Sequence, residues 1–249
     1  MIRLTDSVKH LIIINVIMFI GTMTIGGNLF YEWFAMHFPK NESFNYWQVL
    51  THMFMHAGFM HLALNMFGLW MFGTPVEQVL GSKKFLFIYF SAGLGALALQ
   101  LGEYYFRFMP YFNDLIASGF SKSEILQMLA SARGVDGMST TQHQYLQEAY
   151  YLYSVTMVGA SGCLMGILAA FGIMNPEARL MLIFLPIPVK AKYFIPALLI
   201  IEAILGLRGQ SIFGGANIAH FAHVGGAITG GIIMWYWKKN QFNKNRWDL

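Results

Sequence analysis

From Ala149 to Pro176 the chain carries no charged side chain. A stretch that long cannot sit at a water-exposed surface, and it is too long for one buried strand. It is the length of a helix that crosses a bilayer. Similar runs recur. Six segments are apolar enough to span, at 8–29, 51–76, 85–101, 151–174, 193–207 and 218–237. Charged residues make up 11% of the 249 residues, against about 25% in soluble domains. The expected fold is all-α: a polytopic membrane protein with a six-helix bundle in one domain, residues 1–249. A net charge of +4 would raise nucleic acid as a partner in a soluble chain. Here orientation in the membrane explains the basic residues, and the bilayer itself is the expected surrounding.

Six spans put both termini on one side. That side carries Arg3, Lys9, Lys83, Lys84, Arg179, Lys190, Lys192, Lys238, Lys239, Lys244 and Arg246, eleven of the sixteen basic residues. The excess predicts cytoplasmic termini. The first apolar run is too long for a signal core and has no small-residue cleavage site, so it reads as the first span. With no organelle-targeting extension visible, a bacterial inner (plasma) membrane is the expected location. The lone Cys163 allows no internal disulfide. Residues 102–150 form an external insertion, too polar to span, with helical patches broken at Gly134 and Gly137. The other external loop, 30–50, is dense in aromatics that belong at headgroup level.

Polar residues inside these runs need a reason to be there. Ser161 lies ten residues into the fourth segment, roughly 15 Å along a helix. His61 lies ten into the second and His223 five into the sixth, all entering from outside. Asn65 follows His61 at i+4, on the same face. Serine is a poor nucleophile until a base takes its proton, and imidazole is suited to that task. An amide or ring N–H aimed at the developing oxyanion would complete acyl-transfer chemistry. Gly159 and Gly162 would let a peptide approach Ser161. Gly226 and Gly230, on the His223 face, would let the sixth span pack tightly on the fourth. The simpler readings are a serine back-bonded within its helix and a histidine or asparagine bonding between helices.

Together these residues carry a resemblance. Gly159-Ala160-Ser161-Gly162, Ala222-His223-Val224-Gly225-Gly226, His56-x4-His61-x3-Asn65 and Glu77-x3-Gly81 resemble the motifs of the rhomboid family of intramembrane serine proteases. The likeness covers about residues 51–239. It implies a Ser161–His223 dyad acting through an acyl-enzyme. The oxyanion would be held by the Ser161 N–H, His61 and Asn65, and His56 would support the polar cavity. It implies single-span membrane proteins as substrates, cut near the external face where a weak helix can unwind, and no cofactor. His52 and His56 are spaced i, i+4, but no H-E-x-x-H motif accompanies them and no metal is expected.

Several positions depart from the family pattern or stand outside it. Trp47-Gln48 replaces a Trp-Arg pair, so any role of that arginine is lost. Met165 stands where an aromatic often packs beneath the base. His220 competes with His223 for the base, and the motif favours His223. A continuous helix would set His56 roughly 140° from His61, and Gly58 offers a break. Glu202 is an acid inside the fifth span; the expectation is that it meets Arg208 or a water-filled gate, the alternative that it orients His223. Residues 208–216 would form a flexible cap. The insertion 102–150 could touch lipid, dock substrate or do neither. Two other functions compete: a non-enzymatic relative that escorts membrane helices, and a transporter with a histidine relay.

Overall fold

The computed structural model describes residues 4–25, 27–182, 185–208 and 219–244. The chain opens with α1 (Asp6–Thr24) and the short α2 (Gly27–Phe34), then a two-residue strand β1 (Met36–His37). Next come α3 (Gln48–Thr51), a 3-10 turn over His52–Phe54, and α4 (Phe59–Gly68). A π-turn at Leu69–Gly73 joins α4 to α5 (Thr74–Leu80). Gly81 adopts φ +76° and stops α5. The 36-residue α6 (Ser82–Ala117) follows.

Two shorter helices, α7 (Lys122–Ser131) and α8 (Thr140–Ser154), each start with a capping box, Ser121 with Glu124 and Ser139 with Gln142. Strand β2 (Thr156–Met157) pairs antiparallel with β1. Then come α9 (Ser161–Met174), a ribbon of β3 (Arg179–Leu182) and β4 (Leu185–Lys190), α10 (Ala191–Arg208) and α11 (His220–Lys244). The fold is therefore mostly helical, with two small ribbons that the apolar pattern does not announce.

Each of the six expected segments carries helix, but their bounds differ from the expectation. Two helices, Asp6–Thr24 and Ser82–Ala117, are long and apolar enough by themselves to cross a membrane, and Ser161–Met174 is apolar but shorter. The second segment starts with the end of α3 and a 3-10 turn, runs irregularly over 55–58 and becomes continuous helix at Phe59, after Gly58. The fourth does not begin as helix at Tyr151: α8 ends at Ser154 and the next helix starts at Ser161 itself. The third overshoots, since the first sixteen residues of the external insertion simply continue α6.

Two cores result. The larger joins Val8, Met53, Leu69, Phe85, Tyr89 and Ile167. The second lies in the insertion, where Phe108, Phe112 and Leu115 of α6 meet Ile125, Leu129, Leu152 and the loop residue Phe38. Outside the larger core the helices present bare apolar side chains: Ile17 is 61% exposed, Ile200 60% and Ile232 60%. In water such faces would drive association; in lipid they meet a matching solvent.

The lower end of α1 is fastened from a distance. Glu77 accepts the N–H groups of Ser7 and Val8 at 3.0 Å each and the Ser82 hydroxyl at 2.7 Å. Its carboxylate thus satisfies the first-turn donors of α1, which have no partner within that helix. Burial alone would raise its pKa, but the hydrogen bonds from Ser7, Ser82 and Val8 outweigh it and hold the group at about 2, below its ordinary 4.5. A depressed folded pKa means stability that is present above the ordinary value and lost as pH falls toward the folded one. Thermal unfolding in detergent should therefore show stability declining from about pH 4.5 to 2. Glu77→Gln should remove that slope and cost about 2–3 kcal/mol at neutral pH.

Candidate active site

Ser161 is the first residue of α9, not a residue ten positions inside a helix. Gly159 adopts φ +127°, a conformation L side chains rarely take, and turns the chain into the helix. Its N–H donates to the carbonyl of His52 at 2.9 Å, which ties the turn to the 3-10 segment. Because Ser161 opens the helix, its own N–H has no intrahelical partner and sits at the positive end of the helix dipole.

His223 lies in the first turn of α11. Its Nε2 is 2.9 Å from Ser161 Oγ, a hydrogen bond across 62 residues of sequence. The close approach rests on glycine. A Cβ on Gly226 would overlap the Gly162 carbonyl, and one on Gly230 would overlap Gly166. On the other side a Cβ on Gly225 would come within 2.6 Å of the Gly95 carbonyl of α6. Two small-residue pairs, Gly162/Gly166 and Gly226/Gly230, let the backbones of α9 and α11 touch. The start of α11 is also pinned by Gln100 of α6, whose Oε1 accepts the Ala222 N–H at 3.1 Å. Gln100 is a residue the sequence reading missed; an amide alone in the apolar run 85–101 was its signal.

His61 borders the same space. A Cβ on Gly159 would meet His61 Nε2 at 2.9 Å and Ser161 Oγ at 3.6 Å, so both groups face the hollow above that glycine. The Ala57 N–H points at His61 Nδ1, at 3.5 Å. Acceptance at Nδ1 leaves Nε2 as the N–H of the neutral ring. Asn65 is buried and donates one amide N–H to the His61 carbonyl at 2.8 Å; its amide has a second. His56 is fully buried and packs edge-on against His61, ring centroids 5.0 Å apart. The irregular chain before Gly58 is what brings the two rings together. A small cavity beside Ser161, lined by His52, Met157, Gly162 and Ala219 among others, has about 20 Å³ of space, room for about one water. Gly159→Ala would strain the turn and push on His61. The expected result is a loss of about 100-fold in kcat/KM, measured on the same substrate as the parent.

One expectation needs correction. Glu202 does not meet Arg208, which makes no ion pair with it among the described residues. Its Oε2 lies 2.7 Å from His220 Nδ1 and 3.0 Å from His223 Nδ1. Gln48, which stands in the place of the family's arginine, has a structural role of its own. It is fully buried, donates to the carbonyls of Glu32 and Ser43, and accepts from the Asn45 N–H at 3.0 Å, so it knits the first external loop. Met165 is buried with Leu168 and Ala227 in an apolar cluster. Of the expected cap, only Arg208 is described; 209–216 lie outside the described residues.

A helical membrane fold with an imidazole bonded to a serine at two facing helix starts defines a narrow class of protein. A family model of the Rhomboid domain matches residues 43–240, and the chain belongs to that family. The rat mitochondrial presenilin-associated rhomboid-like protein is 27% identical over 189 residues, which cover 76% of this chain and 36% of that protein. The rhomboid protease GluP of Bacillus subtilis is 35% identical over 105 residues, 40% of this chain and 20% of its own length. The rhomboid protease GlpG of Salmonella paratyphi A is 36% identical over 73 residues, 29% and 26% respectively. The match thus spans about a third of the length of the mitochondrial relatives. Membership makes the chain a polytopic helical membrane protein of a family that includes serine proteases.

Proposed function

We propose that this chain is an intramembrane serine endopeptidase that cuts single-span membrane proteins near the external face. The observation that carries the reading is the 2.9 Å contact between Ser161 Oγ and His223 Nε2. In the first step Oγ attacks the scissile carbonyl while its proton passes to Nε2. The oxyanion is held by the Ser161 N–H, the Nε2–H of His61 and the free N–H of Asn65. His223 then gives its proton to the leaving amine, and an acyl-enzyme remains. Water, deprotonated by the same nitrogen, hydrolyses the ester and restores the hydroxyl. His56 buttresses His61, and Gly159, Gly162 and Gly226 keep the approach open. The cavity beside Ser161 suits the hydrolytic water.

The basic bias supports cytoplasmic termini, which puts the helix starts of α9 and α11 toward the outside. The matches include mitochondrial as well as bacterial proteins, so they support a membrane location and not a bacterial plasma membrane in particular. The test is to incubate the purified protein with single-span candidates and sequence the fragments. Cuts inside or beside the span, blocked by a fluorophosphonate that labels Ser161, are expected. Intact substrates and an unlabelled Ser161 across a broad panel sink the reading.

A further inference from the structure

Glu202 of α10 stands behind the base. Its Oε2 is 3.0 Å from His223 Nδ1, while the other ring nitrogen of His223 faces Ser161 Oγ. The order is hydroxyl, imidazole, carboxylate. The same oxygen is 2.7 Å from His220 Nδ1, one turn earlier on α11. The three side chains are 7–16% exposed, so this cluster is shielded from bulk water. An acid at that depth needs a partner to remain there, and among the described residues the partners are these two rings.

We propose that Glu202, anchored by His220, is a positioning residue for His223. The inference rests on the proteolytic reading above. A carboxylate at Nδ1 favours the tautomer that carries its proton there, which leaves Nε2 free to accept from Ser161. When Oγ attacks and its proton moves to Nε2, the imidazolium that forms lies against the carboxylate; no proton passes to Glu202. In the resting geometry the Nδ1–H is close but not aligned, and it makes no hydrogen bond. The hydrogen bond from His220 holds the oxygen in place for the imidazolium to turn onto, as such contacts tighten during reaction. A dyad would gain the third member of a triad, supplied by a helix the motifs do not touch.

A purely structural role, a clasp between α10 and α11, makes a different prediction, and one experiment separates them. Full-length protein in detergent is titrated to completion with a fluorophosphonate, and kcat and KM on a single-span substrate are expressed per titrated site. Misfolded molecules then drop out of the rate. For Glu202→Gln the expected result is a kcat per site lower on the order of 100-fold, with KM within about twofold. That is short of the ~10⁴-fold of a fully aligned triad carboxylate. Glu202→Asp should recover at least about tenfold of the loss, and His220→Asn should lose about tenfold. A clasp alone would reduce the number of titratable sites and leave kcat per site intact. That result, or equal losses for the Gln and Asp variants, overturns the inference while leaving Ser161 and His223 standing. A parent protein that neither labels at Ser161 nor cleaves would instead remove the proteolytic reading, and the inference with it.

Discussion

Ser161→Ala should abolish fluorophosphonate labelling and lower cleavage by about 10⁴- to 10⁶-fold, and His223→Ala should do nearly the same. On the proposed reading the two groups act as one device: the hydroxyl reacts as its proton leaves, and the imidazole 2.9 Å away is placed to take it. The double variant should therefore be no worse than either single one. Residual cleavage should come from the donors around the hollow, since His61, Asn65 and the N–H of residue 161 remain. Ser161→Ala should melt within a few degrees of the parent, because it removes one partly buried polar contact and no core packing. If Ser161→Ala kept cleavage within tenfold of the parent, the serine would be a packing residue and the nucleophile would lie elsewhere.

Gly226→Val should be nearly as damaging, for a different reason. No atom of Gly226 takes part in the chemistry, yet a side chain there overlaps the Gly162 carbonyl, one residue from the nucleophile. Backbone cannot yield as the tip of a long side chain can, so α11 must move away from α9. Overpacking of this kind costs about 1–3 kcal/mol. A displacement of about 1 Å between nucleophile and base is enough for a loss of about 100-fold. Gly231→Ala is the matched control. Its added Cβ would meet only Ala169 and Ile173 side chains, at 3.8 and 3.9 Å. That variant should cleave at the parent rate and melt at the parent temperature. Equal behaviour of the two substitutions would mean that the α9–α11 seam does not set the site.

Which residues converge was readable from the chain because polarity is expensive in an apolar run. Ser161, His61, Asn65 and His223 stood out against their surroundings, and motif spacing tied them together. How they converge was not readable. Hydropathy cannot see that α9 begins at Ser161, because Tyr151–Val158 is uncharged like the helix that follows; the φ of Gly159 marks the turn. Lengths misled in the same way at Leu101, where polarity rises but α6 continues. The partners of Glu202 were hidden because they depend on the rotation of α10 against α11, and sequence distance favoured Arg208. Gln48 and Gln100 went unread for a related reason. A neutral amide in an apolar run marks a position but not a role until the backbone groups it serves are known.

The unbroken course of α6 has a geometric consequence. One rod carries Gln100, which pins the start of α11, and further along Phe108, Phe112 and Leu115, which anchor the outer lobe. Lobe and base are therefore geared to a single screw. Inserting one residue between Leu101 and Phe108 would swing the lobe by about 100° and lift it about 1.5 Å, whereas seven residues would return it to nearly the same bearing two turns higher.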